Sequence, residues 1–127
     1  MRMFYCRLTD ARGNEWKVYI VDGWARIDDE QQGHRRCYGV TDFDRREIEL
    51  SIMQSWRTFK KTFMHEVGHA ALGAERPDDW DREHEEKVMM RSEGSLLRMM
   101  QQLGMRVPPL PEGVKLRPRK HSRKAAT

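Results

Sequence analysis

Residues 62–73 read "TFMHEVGHAALG", and the fold and the chemistry both turn on how this stretch is read. Two histidines, His65 and His69, stand four apart, with Glu66 directly after the first. An α-helix turns once every 3.6 residues, so positions i and i+4 project from one face, one turn apart. Such a face can offer two imidazole nitrogens to one tetrahedral Zn²⁺, at Zn–N distances near ~2.0 Å. Neutral imidazole is available as a donor near neutral pH. Glu66 is too close in sequence to join the two histidines as a ligand. It is placed instead to accept a proton from a water in an open coordination position, whose pKa zinc lowers to about 7, and to return it to a leaving amine. The competing reading is an ordinary amphipathic helix whose two histidines hold no metal.

The surrounding residues support a helix. Trp56, Phe59, Phe63, Val67 and Ala70 recur at helical spacing and form one apolar stripe over 55–72. Ser55 suits the N-cap, and Gly73 is expected just past the C-terminus. "AERPDD" (74–79) then breaks the chain, because Pro77 cannot continue a helix. A second helix is expected over 79–103, with Asp78, Asp79 and Asp81 at its positive end and Val88, Leu96, Met99 and Leu103 on its apolar face.

Upstream of the motif the pattern has the period of strands. "MFYCRLTD" (3–10) and "EWKVYIVDG" (15–23) are rich in aromatic and β-branched residues and flank "ARGN", so they read as a hairpin. "WARIDDEQQGHRR" (24–36) is polar and reads as loop. In "CYGVTDFDRREIELS" (37–51), Val40–Thr41 opens a strand, Asp42–Arg45 turns, and Ile48–Leu50 returns with alternating polarity. These elements give an α+β fold, a small antiparallel sheet packed on two main helices, in one domain over 1–104. Residues 105–127 carry Pro108, Pro109, Pro111 and Pro118 among basic residues. They read as an extended, poorly ordered tail.

Composition narrows the functional classes. The 127 residues allow one modest core, and a 38% hydrophobic, 35% charged chain fits a globular protein with a heavily solvated surface. No segment approaches the roughly 18 apolar residues that span a membrane, and the N-terminus lacks the apolar run of a signal peptide. A cytoplasmic location is the expectation. Cys6 and Cys37 show no CxxC spacing and read as buried thiols. The net charge of +4 is unevenly placed, because seven Lys or Arg against one acid follow Gly104 and leave 17 basic and 19 acidic residues before it. The tail could contact nucleic acid through phosphate neutralisation. A solubilising role is favoured, since no aromatic residue follows Met105 to stack on a base.

The motif and its setting resemble the HExxH zincin metallopeptidases. More closely, they look like the very small metallopeptidase-like proteins of bacteria and their phages that share an ImmA/IrrE type of core. The resemblance runs over 38–104: a strand, the "HEVGHAALG" helix, and a second helix carrying "HEEKV". It implies a third metal ligand from an acidic residue on the second helix, a substrate cleft lined by the strand before the motif helix, and host cytoplasm if the chain is phage-encoded. "REHEEKVMM" (82–90) offers His84, Glu85 and Glu86. Glu85, followed three residues later by Val88, fits the family-like pattern and shares a helix side with Val88, Ser92, Leu96 and Met99, so Glu85 is the expected ligand. Glu86 is then a candidate partner for a ligand histidine. Another zincin class would use Glu75, but Leu72 stands where that class has glycine.

The expected function is a zinc-dependent metallopeptidase acting on an intracellular protein or peptide, with His65, His69 and Glu85 holding Zn²⁺ and Glu66 as general base. Mn²⁺ or Fe²⁺ suits the same donors. The substrate is expected to pair as a strand beside Ile48–Leu50. His34, Tyr38 and Arg91 are candidate oxyanion donors by residue type alone. The alternative is a non-catalytic metal-binding interaction module, a host or phage regulatory factor, whose site is closed by four protein ligands such as His65, His69, Glu85 and His84. The methionines, Met89, Met90, Met99 and Met100 among them, and Trp16, Trp24, Trp56 and Trp80 are read as packing residues.

Overall fold

The computed structural model of the chain describes residues 2–29, 33–75 and 81–118. Two strands, β1 (Arg2–Thr9) and β2 (Glu15–Val21), form the expected antiparallel hairpin. Its turn is closed by Asp10, whose carboxylate accepts hydrogen bonds from the backbone N–H groups of Arg12 and Asn14 and from Trp16 Nε1. Gly13 takes the positive φ of 85° that the turn requires. Along β2, Trp16, Val18 and Ile20 are buried while Glu15 and Lys17 are exposed, the alternation of a strand with one face on a core.

After β2 the chain forms a second ribbon, β3 (Ala25–Asp29) paired antiparallel with β4 (Gly33–Cys37). This stretch was expected to be loop. Its polar sequence carries no apolar alternation to announce strands, and the element rests on backbone pairing. Beyond Tyr38, β5 (Gly39–Asp42) and β6 (Glu47–Ser51) form the second expected pair.

The four-stranded sheet runs in the order β1–β2–β6–β5. It departs from an all-antiparallel sheet in one pair: β2 and β6 are parallel, in register from Lys17↔Glu47 to Val21↔Ser51. The long excursion through β3, β4 and β5 supplies the crossover that parallel neighbours need. β6 is therefore an interior strand with both edges paired. The expected docking of a substrate strand beside Ile48–Leu50 is corrected on this ground: the edge strand on that side of the sheet is β5.

Two helices follow the sheet: α1 (Trp56–Glu75) packs on β5 and β6, and α2 (Arg82–Gln102) packs on α1. Ser55 caps α1 as expected, its Oγ accepting the Thr58 N–H at 3.2 Å. The helix does not stop before Gly73 but carries that residue inside its last turn. Asp81 caps α2 by accepting the His84 N–H at 2.7 Å. At the other end, Gly104 adopts φ +81° while its N–H reaches Gln101 O and the Met105 N–H reaches Met100 O, a Schellman stop. No helix among the described residues is long and apolar enough to cross a membrane.

The core lies between the sheet and α1. Val18, Ile20, Ile48, Leu50 and Phe59 are fully enclosed, and Phe63, Met64 and Ala70 continue the helix side. Trp56, expected on the same stripe, lies at the rim, stacked on Phe59. Among the described residues of α2, Glu85, Met89 and Leu97 are buried, so its buried face is turned from the expected one, and Leu96, Met99 and Leu103 are exposed. Met90 is exposed too, so not every methionine fills the core.

The segment expected to be a poorly ordered tail divides. Residues 105–118 have no regular secondary structure, but Val107 is buried and Leu110, Val114 and Leu116 lie against the core. The Arg117 N–H donates to Ile52 O at 2.6 Å, and the Tyr5 hydroxyl donates to Pro108 O. Prolines prevent helix here, yet an extended strap can still bury every few apolar side chains. The boundary at 104/105 is thus not the edge of the packed structure; 119–127 lie outside the described residues.

Candidate metal centre

The site is built where α1 and α2 cross. Its spacing is set by Gly68, the third residue between the motif's ends, against Met89. An ideal Cβ on Gly68 would stand 1.9 Å from Met89 Cε and 2.8 Å from its Sδ, so only a glycine leaves room for the buried Met89 side chain. Three other residues of α2 follow from this contact. Glu85 and Glu93 lie four residues before and after Met89, and Glu86 three before it, so all three project toward α1.

His65 and His69 meet there with their Nε2 atoms 3.1 Å apart. The Glu86 carboxylate closes the group, one oxygen 2.9 Å from His65 Nε2 and the other 2.8 Å from His69 Nε2. Among the described residues, these three have donor atoms that converge closely enough to hold one ion. Tetrahedral bonds of ~2.0 Å require donors about 3.3 Å apart, so the three could surround an ion with a small outward adjustment.

The opposite ring nitrogens are also engaged. His65 Nδ1 is 2.6 Å from Glu93, and His69 Nδ1 is 2.8 Å from Glu85. A carboxylate at Nδ1 holds the proton on that nitrogen and leaves the Nε2 lone pair facing the centre, which is the arrangement a metal ligand needs. The structure places Glu85, the expected ligand, behind His69 on its Nδ1, whereas its neighbour Glu86 faces the donor cluster. The two were expected in exchanged roles. Their side chains point about 100° apart on the helix, and the contact of Met89 with Gly68 decides which one faces the histidines' Nε2 atoms. Glu93 was not anticipated at all, although its spacing of eight from Glu85 would have placed it on the same face. His84 donates its backbone N–H to the Asp81 cap and has an exposed side chain that is not part of the donor cluster. The Glu75 side chain lies outside the described residues.

Glu66 is buried and lies beside this group. Its Oε1 accepts the Thr41 hydroxyl of β5 at 2.8 Å. Burial pushes its carboxyl above the usual range, against the opposing pull of the Thr41 hydrogen bond and of His65 and His69. For His65 burial acts to lower the pKa, but the nearby carboxylates of Glu66, Glu93 and Glu86 outweigh it and the net shift is upward. The close approach of α1 to β5 depends on Gly39, where a Cβ would stand 2.6 Å from Thr62 Cγ2 and 2.9 Å from Glu66 Cγ. Buried Gln54 fastens the same corner, donating to Tyr38 O and Ser51 O and accepting from Thr62 Oγ1.

Of the candidate oxyanion donors, Tyr38 stacks on Trp24, Arg91 lies on the exposed side of α2, and the His34 side chain lies outside the described residues. Comparison of the chain with protein-family models, curated proteins and solved structures gave no match, so the reading of this site rests on its own geometry.

Proposed function

We propose that the chain is a metallopeptidase: a divalent ion, Zn²⁺ in the first instance, held by His65, His69 and Glu86, with Glu66 as the proton carrier in peptide-bond hydrolysis. The observation that supports it most is the coincidence of two layers around one point. Three donors converge through Nε2, Nε2 and a carboxylate, and two further carboxylates fix both imidazoles from behind. Zn²⁺ with Mn²⁺ or Fe²⁺ as substitutes suits a His₂Glu set. When bound, such an ion supplies a Lewis acid that polarises a carbonyl and lowers the pKa of water to about 7.

The chain's own groups supply the rest. Glu66 receives a proton from the attacking water and delivers it to the amine that leaves. Burial raises its proton affinity toward the working range, and the Thr41 hydroxyl holds one oxygen, leaving the other to exchange the proton. The edge strand β5, which carries Thr41, is the segment beside which an extended peptide could pair. A three-donor set leaves room for reactants, which favours catalysis over the closed, four-ligand interaction module.

The test is cleavage of a peptide library by the zinc-loaded protein and by Glu66→Gln. Cleavage by the native chain that disappears in Glu66→Gln, with metal retained, is expected. Undiminished cleavage by the variant, or none by the native chain at saturating zinc, would remove the enzymatic reading.

A further inference from the structure

The seam between α1 and α2 continues past the donor cluster into an open groove of about 370 Å³. Lys61 lines it from α1, and Arg91, Glu93, Gly94, Ser95 and Arg98 line it from α2. Lys61 lies one helical turn before His65, and Glu93 is the residue that pairs with His65 Nδ1, so the groove adjoins the donor cluster on its outer side. The charge of the helix pair changes sign along the seam. Glu85 and Glu86 of α2 lie at the donor cluster, whereas Lys61 of α1 and Arg91 and Arg98 of α2 line the groove, with Glu93 as the one acid among its lining residues.

Three cations therefore face one concavity, and among the described residues none of Lys61, Arg91 and Arg98 has an ion-pair partner. Glu93, held by His65 at 2.6 Å, brings one negative charge against these three cations, which leaves a net positive groove. Gly94 adds open space at the centre: a Cβ placed there would meet nothing within 4 Å.

We propose that this groove binds a phosphate-bearing ligand. Two arginines and a lysine match the charge of a phosphoryl dianion, and the planar guanidinium fork pairs two oxygens at once. A single carboxylate would be satisfied by one arginine and would leave two cations unmatched. The Ser95 hydroxyl, exposed on the same wall, can donate to a further oxygen. The volume lies at the lower end of ligand-sized pockets, about 300–1,000 Å³. It suits a phosphorylated small molecule or one segment of a nucleic-acid backbone. The site is independent of the metal reading, since none of its cations belongs to the donor cluster.

The test follows backbone amide resonances of the full-length, metal-stripped chain during titration with inorganic phosphate, with a short oligothymidylate and with polyglutamate. Expected are shifts at Lys61 and over 91–98, with affinity for phosphate or the oligonucleotide falling at least about tenfold in Arg91→Ala/Arg98→Ala, as loss of charge-assisted hydrogen bonds requires. All the altered side chains are exposed, and an unchanged far-ultraviolet spectrum verifies the fold; Lys61→Gln gives an independent second variant. Binding of phosphate alone identifies a small ligand, and tighter, salt-sensitive binding of the oligonucleotide identifies a nucleic-acid backbone. Absence of shifts in the groove, unchanged affinity in both variants, or preference for polyglutamate would overturn the proposal.

Discussion

Met89 lies across Gly68, with its Cε in the space that a Cβ on Gly68 would need, and this one contact sets how α2 presents its carboxylates to the histidines of α1. Helix propensity alone would make Gly68→Ala stabilising by about 1 kcal/mol. Against that gain, the flexible end of the buried Met89 side chain must shift to admit the methyl, and overpacking costs about 1–3 kcal/mol. A net loss of about 1 kcal/mol by chemical denaturation is expected. A gain in stability would show that the helices are not held at this contact.

Gly39→Ala addresses the other wall of the site. The new methyl would meet Thr62 Cγ2 and Glu66 Cγ at 2.6 and 2.9 Å. Thr62 Cγ2 is not the far end of a flexible chain, so β5 and α1 must separate. A loss of about 1–3 kcal/mol is expected, together with loosening of the hydrogen bond between Thr41 and Glu66. Thermal unfolding and the amide exchange of β5 report both, and an unchanged melting temperature would contradict the close approach.

Replacing Glu66 should separate stability from function. A buried carboxylate whose pKa is raised in the fold destabilises the folded state at pH values above the unfolded pKa, where the unfolded chain is ionised freely. In metal-free protein, Glu66→Gln is therefore expected to be more stable than the native chain at pH 7. The advantage should shrink as pH falls toward the unfolded carboxylate range, where both states are protonated. Urea denaturation at pH 7 and near pH 4 measures the difference. A variant less stable at pH 7 would mean that the ionised carboxylate is better supported than its surroundings indicate.

Cys6 offers a check on the first hairpin. Burial in β1 pushes its thiol up to about 11, and it lies against the core. Thiolate is the reactive form, so alkylation of Cys6 at pH 8 should be slow in the folded chain and accelerate on denaturation. Rapid labelling of Cys6 in the folded protein, read by peptide mass, would contradict its placement.

The strap over 105–118 should be part of the folding unit. Removing residues from 107 onward strips Val107, Leu110, Val114 and Leu116 from the core and is expected to lower the melting temperature sharply. Val107→Ala alone should cost about 1–2 kcal/mol from the two methyl groups lost. A truncated chain as stable as the full one would restore the reading of this stretch as a dispensable tail.

What the sequence disclosed follows from the range of the interactions involved. The motif pair His65 and His69, the Ser55 cap and the hairpin over β1 and β2 rest on local spacing, and all were legible. The choice between Glu85 and Glu86 was not, because adjacent helix positions differ by about 100° and the rotation of α2 is fixed by a contact between residues 68 and 89. The same rotation leaves Leu96, Met99 and Leu103 exposed, although their spacing alone suggested a buried face. The β3–β4 ribbon escaped notice because backbone pairing needs no apolar pattern. The strap escaped because proline and basic residues outweighed Val107, Leu110, Val114 and Leu116 in the composition of a segment that nonetheless packs.

In the proposed site His65, His69 and Glu86 together hold one divalent ion with a position left open, while Glu85 and Glu93 orient the histidines. X-ray absorption of the zinc-loaded chain, combined with zinc affinity of Glu85→Gln, Glu86→Gln and Glu93→Gln by chelator competition, tests it most directly. One zinc per chain is expected, bound by two imidazoles and light oxygen donors near ~2.0 Å. Affinity should fall furthest in Glu86→Gln, and about 10–100-fold in Glu85→Gln and Glu93→Gln. A chain that binds no zinc, or one whose affinity depends on Glu85 and not on Glu86, would contradict it.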